Sequence, residues 1–348
     1  MNNILITGGA GFIGSEAVRT LIEKGYNVFN LDKLTYASSE ESLNEISKDN
    51  YTFFNGDISN KNDVKKFIKK SNPNYIINFA AESHVDRSID GPETFINTNI
   101  IGTYFLVNEA LNFYSSLSQK DKDNFKFVHV STDEVYGSLK QNDDLFYENS
   151  PYKPNNPYSA SKASSDLLVR SWHKTYGLPI NITHSSNNYG PWQYPEKLIP
   201  LTVKNALKGN PIEIYGDGSN IRDWIFVKDH IEAILSVVFQ GKNGETYNIG
   251  GNNEVSNFDM VNKICNLLDT LEPLNNGNYS NLIDFVPDRP GHDIRYAISN
   301  NKIAKDLSWE PKTDINEGLK ITIKWMLDNR EWLFNKSKDL KRQGIKKN

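Results

Sequence analysis

The 348-residue chain has a single cysteine, Cys265, which excludes an internal disulfide and a cysteine-built metal cluster and makes a reducing cytoplasm the expected location. Long apolar runs are missing: none approaches the ~18–20 residues that a membrane helix requires. Met1-Asn2-Asn3-Ile4-Leu5-Ile6-Thr7-Gly8 leads straight into a strand-like run, without the basic region and cleavage site of a secretory signal. A surplus of positive charge is also missing. Lys and Arg number 39 against 43 Asp and Glu, for a formal net charge of -4, which argues against a nucleic-acid partner. Histidine is sparse, and His84, His173, His230 and His292 share no metal-ligand spacing, so no metal is expected. No internal repeat is present.

What the chain does have is rhythm. Short β-branched and aromatic runs recur in the first half: Ile4-Leu5-Ile6, Val28-Phe29-Asn30-Leu31, Tyr51-Thr52-Phe53-Phe54, Tyr75-Ile76-Ile77-Asn78-Phe79, Phe127-Val128-His129-Val130 and Ile180-Asn181-Ile182. Between them lie stretches such as 15–24 and 97–111, with apolar residues three and four apart. Strands alternating with helices imply right-handed crossovers and a parallel sheet covered on both faces. The predicted fold class is α/β: a Rossmann-type doubly wound parallel sheet with a smaller α+β substrate-binding domain. The length suggests about two domains. The pattern weakens near Tyr189-Gly190-Pro191-Trp192. Residues 1–190 are therefore expected to form the cofactor domain, with a return of the chain to it around 222–250. Residues 191–335 are expected to form mainly the substrate-binding domain, and 336–348 a basic, solvated tail.

The turn Thr7-Gly8-Gly9-Ala10-Gly11-Phe12-Ile13-Gly14 follows the first strand and opens the first helix. Glycines at 8, 11 and 14 let backbone amides approach a pyrophosphate at a helix N-terminus. Asp32 ends the second strand, where a carboxylate accepts from adenosine ribose hydroxyls and repels a 2′-phosphate, so NAD is favoured over NADP. Lys33 beside it works slightly against that preference. Gly56-Asp57-Ile58 ends the third strand, within reach of an adenine edge, and Phe79-Ala80-Ala81 ends the fourth with residues small enough to lie against a cofactor.

Tyr158-Ser159-Ala160-Ser161-Lys162 places a phenol and an ammonium one helical turn apart, about 6 Å. The ammonium is expected to lower the phenol's pKa from near 10, so that a tyrosinate takes a proton as hydride leaves the adjacent carbon. Upstream, Ser131-Thr132-Asp133-Glu134 sits at the end of the fifth strand, where open α/β sheets place ligands. Asp133 and Glu134 read either as a solvated acidic turn or as two crowded carboxylates with separated pKa values, an acid and a base for eliminating water.

These motifs, with Asp32-Lys33-Leu34-Thr35-Tyr36-Ala37, Ala80-Ala81-Glu82-Ser83-His84-Val85-Asp86-Arg87-Ser88, Asn187-Asn188-Tyr189-Gly190-Pro191, Pro195-Glu196-Lys197-Leu198-Ile199-Pro200, Arg222-Asp223-Trp224 and Asp288-Arg289-Pro290-Gly291-His292-Asp293, resemble the extended short-chain dehydrogenase/reductases. They are most similar to the dehydratases in that family that act on dTDP-glucose. The glycine turn and YxxxK are common to the whole superfamily; the Thr-Asp-Glu triplet and the 288–293 segment are far more specific. The resemblance reaches to about residue 330. Ser38 stands where the family pattern commonly has glycine, and His184 where it often has arginine.

The resemblance implies a hydro-lyase that forms a 4-keto-6-deoxy sugar from a nucleotide-activated glucose, with bound NAD. Tyr158 would deprotonate the C4 hydroxyl with Thr132 steadying the same oxygen, Glu134 would take the C5 proton, and Asp133 would protonate the departing C6 hydroxyl. Lys162 would also hold the nicotinamide ribose. The implied cofactor contacts add Phe12, Ile13, Thr35, Ser83, Asn99 and Asn188 to the glycines, Asp32, Lys33, Asp57, Ile58, Ala80 and Ala81. Substrate contacts would come from Ser83, His84, Thr132, Asp133, Glu134, Asn187, Lys197, Leu198, Glu213, Tyr215, Arg222, Asn257, Arg289 and His292. Arg222 and Arg289 suit a diphosphate, although Arg222-Asp223-Trp224 also reads as a local ion pair beside a packed aromatic. The helices 97–114 and 158–176 are expected to pair with a second copy in a homodimer. A nucleotide-sugar 4-epimerase or a UDP-glucuronate decarboxylase would share the scaffold, but neither needs the acid and base at 133 and 134. A non-catalytic NAD-binding protein needs none of the five catalytic residues.

Overall fold

The computed structural model describes residues 2–336. Seven strands form one all-parallel sheet in the order Thr246–Ile249, Ile180–Ser185, Lys126–Thr132, Tyr75–Asn78, Asn3–Thr7, Asn27–Asp32, Tyr51–Asn55. Six of them are the apolar runs of the first half. The seventh is a short Thr-Tyr-Asn-Ile segment with two polar side chains, which the run pattern did not single out. Within a strand successive side chains point to opposite faces. Ile4 and Ile6 therefore join the core against the helices Phe12–Glu23 and Val227–Gln240, while Leu5 joins the opposite core with Phe67, Leu106 and Val169. Two-sided burial is why these strands read as continuous apolar runs rather than alternation.

The helices start where caps permit. Helix Phe12–Glu23 begins directly after Gly11, whose extended backbone ends the glycine turn three residues earlier than periodicity alone suggests. Helix Pro157–Tyr176 opens on a capping box: Asn156 accepts from the Ser159 amide, Ser159 from the Asn156 amide, and Pro157 sits where no amide donor is needed. It ends at Gly177 in a left-handed conformation. The expected helix from residue 97 differs from an even α-helix. Ile96–Gly102 is wound as a π-helix and passes into the α-helix Thr103–Ser116. Its end, Gly102, lies so close to Ile58 that a Cβ there would be 2.7 Å from the Ile58 side chain.

The second layer is a small sheet around Ile221–Phe226, flanked by Asn187–Tyr189, Glu254–Ser256 and Arg295–Tyr296, beside the pair Ile212–Tyr215 and Ile283–Val286. Its core gathers Tyr189, Trp224, Met260, Ile264, Leu319 and Ile323 under the helices Leu198–Lys208, Asn257–Leu271 and Ile315–Asp328. No helix among the described residues is long and apolar enough to cross a membrane. Of the basic tail expected at 336–348, residues 337–348 lie outside the described residues.

Candidate active site

The carboxyl ends of the parallel strands open into one cavity. At its cofactor end Gly8 takes φ +74, and a Cβ there would lie 2.7 Å from the Ala80 amide nitrogen. A Cβ on Gly14 would lie 2.2 Å from the Gly8 carbonyl oxygen, so the turn closes on itself only with glycine. Asp32 is buried, and its carboxylate accepts from the Ala10 amide at 2.9 Å, the Leu34 amide at 2.8 Å and the Ser38 hydroxyl at 3.2 Å. Ser38 thus uses its hydroxyl to hold the loop that lines the cavity. Lys33 is committed to its own neighbours, Thr98 Oγ1 at 3.2 Å, Glu82 at 3.6 Å and Asp57 at 3.7 Å. That arrangement offsets its charge within the protein and leaves the preference set by Asp32 in place.

Gly11, Phe12, Ile13, Thr35, Ile58, Ala81, Ser83, Asn187, Asn188, Lys197 and Leu198 line the same cavity, together with Thr132, Asp133, Glu134, Tyr158 and Lys162. Asn99 does not. It is enclosed behind the wall, where its side chain accepts from the Glu82 amide and donates to the Glu82 carbonyl and to Ser161, because the π-helical turn directs it inward.

At the reacting end, Thr132 caps the turn Asp133–Tyr136 by accepting from the Glu134 amide at 3.3 Å. Asp133 is 2% exposed and its Oδ2 has no protein partner. Burial, then the charges of Glu134 and Asp223, raise its pKa well above the carboxylate range. Burial also raises Glu134, but Arg289, Arg222, Lys197 and a hydrogen bond from Asn156 oppose it. The two adjacent carboxyls therefore differ: burial and like charges favour the protonated form of Asp133, while at Glu134 nearby cations oppose the effect of burial.

The phenol differs from expectation. Burial and the negative charges of Glu134 and Asp133 push Tyr158 above its ordinary pKa, with only a hydrogen bond to Thr132 pulling the other way. Lys162 directs its ammonium to the Val130 carbonyl at 2.8 Å, and burial draws its pKa down to about 8. A spacing of four residues does not by itself supply a tyrosinate here, because both groups are fully enclosed.

The remaining predicted contacts lie outside the cavity's lining, and of these Arg289 and Arg222 bear on it through Glu134. Arg289 pairs with Asp86 at 2.6 Å, and the Tyr215 hydroxyl donates to the same carboxylate at 3.3 Å. Arg222 lies over the Tyr296 ring at 4.4 Å and donates to the carbonyls of Ile221 and Asp293; it is thus not ion-paired with its neighbour Asp223. His292 bonds Asp288 at 2.6 Å. His84 caps the helix Val85–Asp90 and faces Glu196 at 3.6 Å; burial and the cations Lys197, Arg87 and Arg289 hold it neutral. Glu213 projects into solvent from its strand, and Asn257 opens the helix Asn257–Leu271.

Residues outside the expected contacts complete the site. Tyr296 places its hydroxyl 3.5 Å from Glu134 and donates to Asp293. Glu196 accepts from Tyr36 at 3.1 Å across the cavity, and the Arg87 guanidinium stacks on Tyr36 at 3.5 Å. His230 orients Asn188 through a 2.7 Å bond. Tyr36, Arg87 and Glu196 belong to segments that carried the family resemblance; Tyr296 and His230 do not. Among the described residues, no group of His, Cys, Asp and Glu side chains is arranged to hold a metal.

The family model described as GDP-mannose 4,6 dehydratase matches residues 5–322. A dTDP-glucose 4,6-dehydratase of Salmonella typhimurium is 51% identical over 342 residues, covering 95% of this chain and 94% of the relative. One from Neisseria meningitidis is 50% identical and covers both chains in full. The solved dTDP-glucose 4,6-dehydratase of Streptomyces venezuelae, which has NAD bound, superposes with a TM-score of 0.86 at 41% identity, covering 94% of this chain and 98% of that one.

Proposed function

The chain belongs to the family that the GDP-mannose 4,6 dehydratase model describes, and we propose that it is a hydro-lyase that converts dTDP-glucose to the 4-keto-6-deoxy sugar with bound NAD. The observation that carries this reading is Asp133 beside Glu134, two enclosed carboxyls with unequal pKa shifts in the cavity that holds Tyr158. Epimerisation at C4 and decarboxylation of a uronate need no such pair.

The glycine turn fits a dinucleotide: Gly8 and Gly14 let it close tightly against Ala80 and on itself, Gly8, Gly11 and Gly14 line the cavity, and Asp32 stands there ready for ribose hydroxyls. NAD, when bound, supplies the hydride acceptor at C4 and the donor at C6. Tyr158 takes the proton of the C4 hydroxyl, and Thr132 hydrogen-bonds at the same place. The C4 ketone acidifies C5, and Glu134 removes its proton. Asp133, whose pKa burial raises, gives its proton to the C6 hydroxyl as it leaves, so water is lost across C5–C6. A proton returned to C5 completes the product. Lys197, Arg222 and Arg289 bring positive charge toward Glu134 from the side where a diphosphate would lie.

We assign the cofactor to residues 1–190 with the return at 222–250, and the sugar nucleotide mainly to 191–335. The exposed apolar side chains of Ile101, Tyr104, Leu167 and Tyr176 lie on two helical segments that pack together, with Trp172 edge-on to both tyrosines. They support a homodimer through a four-helix contact. The lone buried cysteine suits a cytoplasmic enzyme.

Purified protein incubated with dTDP-glucose is expected to give the strong alkaline absorbance of a 4-keto-6-deoxy sugar, with loss of deuterium from substrate labelled at C5. Recovery of the C4 epimer, or of unchanged substrate, contradicts the reading.

A further inference from the structure

The sixth strand, Ile180–Ser185, runs out beside Thr132, and the short strand Asn187–Tyr189 follows it, packed against the helix Val227–Gln240. That helix buries Val227, Ile231 and Ile234 along one stripe, and His230 stands within it, fully buried. An imidazole in such a stripe costs stability unless a bond compensates. Among the described residues one bond does: Nδ1 lies 2.7 Å from Asn188 Oδ1, while Nε2 is enclosed without a partner. The hydrogen positions follow from the partners. The Asn188 amide nitrogen donates to the Ser186 carbonyl at 3.1 Å, so the amide oxygen is the atom turned to His230. That oxygen only accepts, so Nδ1 carries the hydrogen. The ring is neutral, because burial draws its pKa down to about 3. Asn188 is thus held twice, its side-chain oxygen by His230 and its main-chain carbonyl by Gln193 Nε2 at 2.8 Å. The second hydrogen of its amide has only a long contact, to the Ser185 hydroxyl oxygen at 3.5 Å.

We propose that His230 is a positioning residue for the cofactor: it fixes the Asn188 amide so that the amide's spare hydrogen is presented to the nicotinamide half of the dinucleotide. The order of the strands supports that half. A dinucleotide with its pyrophosphate at the glycine turn after the first strand and its adenosine beside Asp32 and Asp57, after the second and third, extends the other way over the fourth, fifth and sixth. Asn188 stands just beyond the sixth strand and lines the cavity, as does Gln193. The nicotinamide half carries a carboxamide oxygen and ribose hydroxyls, acceptors that suit a lone N–H donor. His230 does not line the cavity, so its effect passes through Asn188. Without the Nδ1 hydrogen nothing holds Oδ1, and the amide can turn away from the cofactor.

The proposal rests on the reading that the cavity holds NAD. Displacement of fluorescent NADH from the loaded protein, by NAD and by ADP-ribose, gives two affinities, and their ratio isolates the nicotinamide. In His230→Leu the preference for NAD over ADP-ribose is expected to fall about tenfold, with the affinity for ADP-ribose itself held to within about twofold. His230→Asn, which keeps an amide donor near the Nδ1 position, is expected to retain the wild-type preference to within about threefold. An unchanged preference in His230→Leu, an equal loss of both ligands, or a His230→Asn as impaired as His230→Leu overturns the proposal. If His230→Leu does not fold, 15N-histidine spectra of the NAD-bound wild type decide the matter. A hydrogen on Nδ1 alone is expected at about pH 6 and about pH 8, and a hydrogen on Nε2 at either overturns the proposal. A wild type that binds neither ligand overturns the cofactor reading and this inference with it, whereas one that binds both but leaves dTDP-glucose unchanged overturns the dehydratase reading alone.

Discussion

On one side of the cavity Asp133 keeps a buried oxygen without a protein partner, and Glu134 has only long contacts, to Asn156 at 3.4 Å and Tyr296 at 3.5 Å. On the other side Arg289 is paired with Asp86 at 2.6 Å, and Arg222 donates to backbone carbonyls and lies on an aromatic ring. The proton-transfer side holds unsatisfied groups at raised pKa, which costs stability. The cationic side is mostly partnered, only the Arg289 Nε lacking a hydrogen bond, so the Arg289 charge is offset until an anion competes with Asp86. Reactivity is stored where partners are withheld, and binding charge where partners can be exchanged.

The comparison breaks most readily at Asp133. Asp133→Asn keeps the shape but loses the proton donor, and kcat is expected to fall about a hundredfold to a thousandfold with KM nearly unchanged, read by steady-state kinetics. A matching rise in KM would move Asp133 to the binding side.

Arg289→Gln tests the opposite side and is expected to raise KM about tenfold or more. It also has a pH signature. Arg289 lowers Glu134, so its removal raises the Glu134 pKa further, and the acid limb of kcat moves to higher pH because the base must be ionised. An unmoved limb would separate Arg289 from the base.

A smaller effect is expected at the cofactor turn. Gly14→Ala places a Cβ against the Gly8 carbonyl and is expected to cost about 1–3 kcal/mol of stability with weakened NAD binding, read by thermal melting and cofactor titration. Least of all should Leu167→Glu affect chemistry: sedimentation is expected to detect monomers, with kcat per subunit changed less than about twofold.

How far the sequence carried the reading follows the same division between local and remote. Six parallel strands were legible because two-sided burial writes apolar runs into each of them, and the glycine turn and the Thr-Asp-Glu triplet were legible because each is a local string. Thr246–Ile249 was not legible as a strand, being short and half polar. The π-helical turn at Ile96–Gly102 depends on how closely Gly102 approaches Ile58, a tertiary contact that periodicity does not encode. Tyr296 reaches Glu134 across 162 residues of sequence, and only the paired strands Ile221–Phe226 and Arg295–Tyr296 bring it there. The pKa of Tyr158 moved opposite to the expectation for the same reason: the YxxxK spacing specifies Lys162, but not the enclosure or the carboxylates that outweigh it.

The central claim is a division of labour between Tyr158 as the base that starts oxidation at C4 and Glu134 as the base that starts elimination at C5. Rapid mixing of NAD-loaded Glu134→Gln and Tyr158→Phe with dTDP-glucose, followed by the near-ultraviolet absorbance of reduced cofactor, tests it most directly. Glu134→Gln is expected to accumulate reduced cofactor in the first turnover and release almost no dehydrated sugar, while Tyr158→Phe forms neither. Both variants stalling without reduced cofactor would contradict the account.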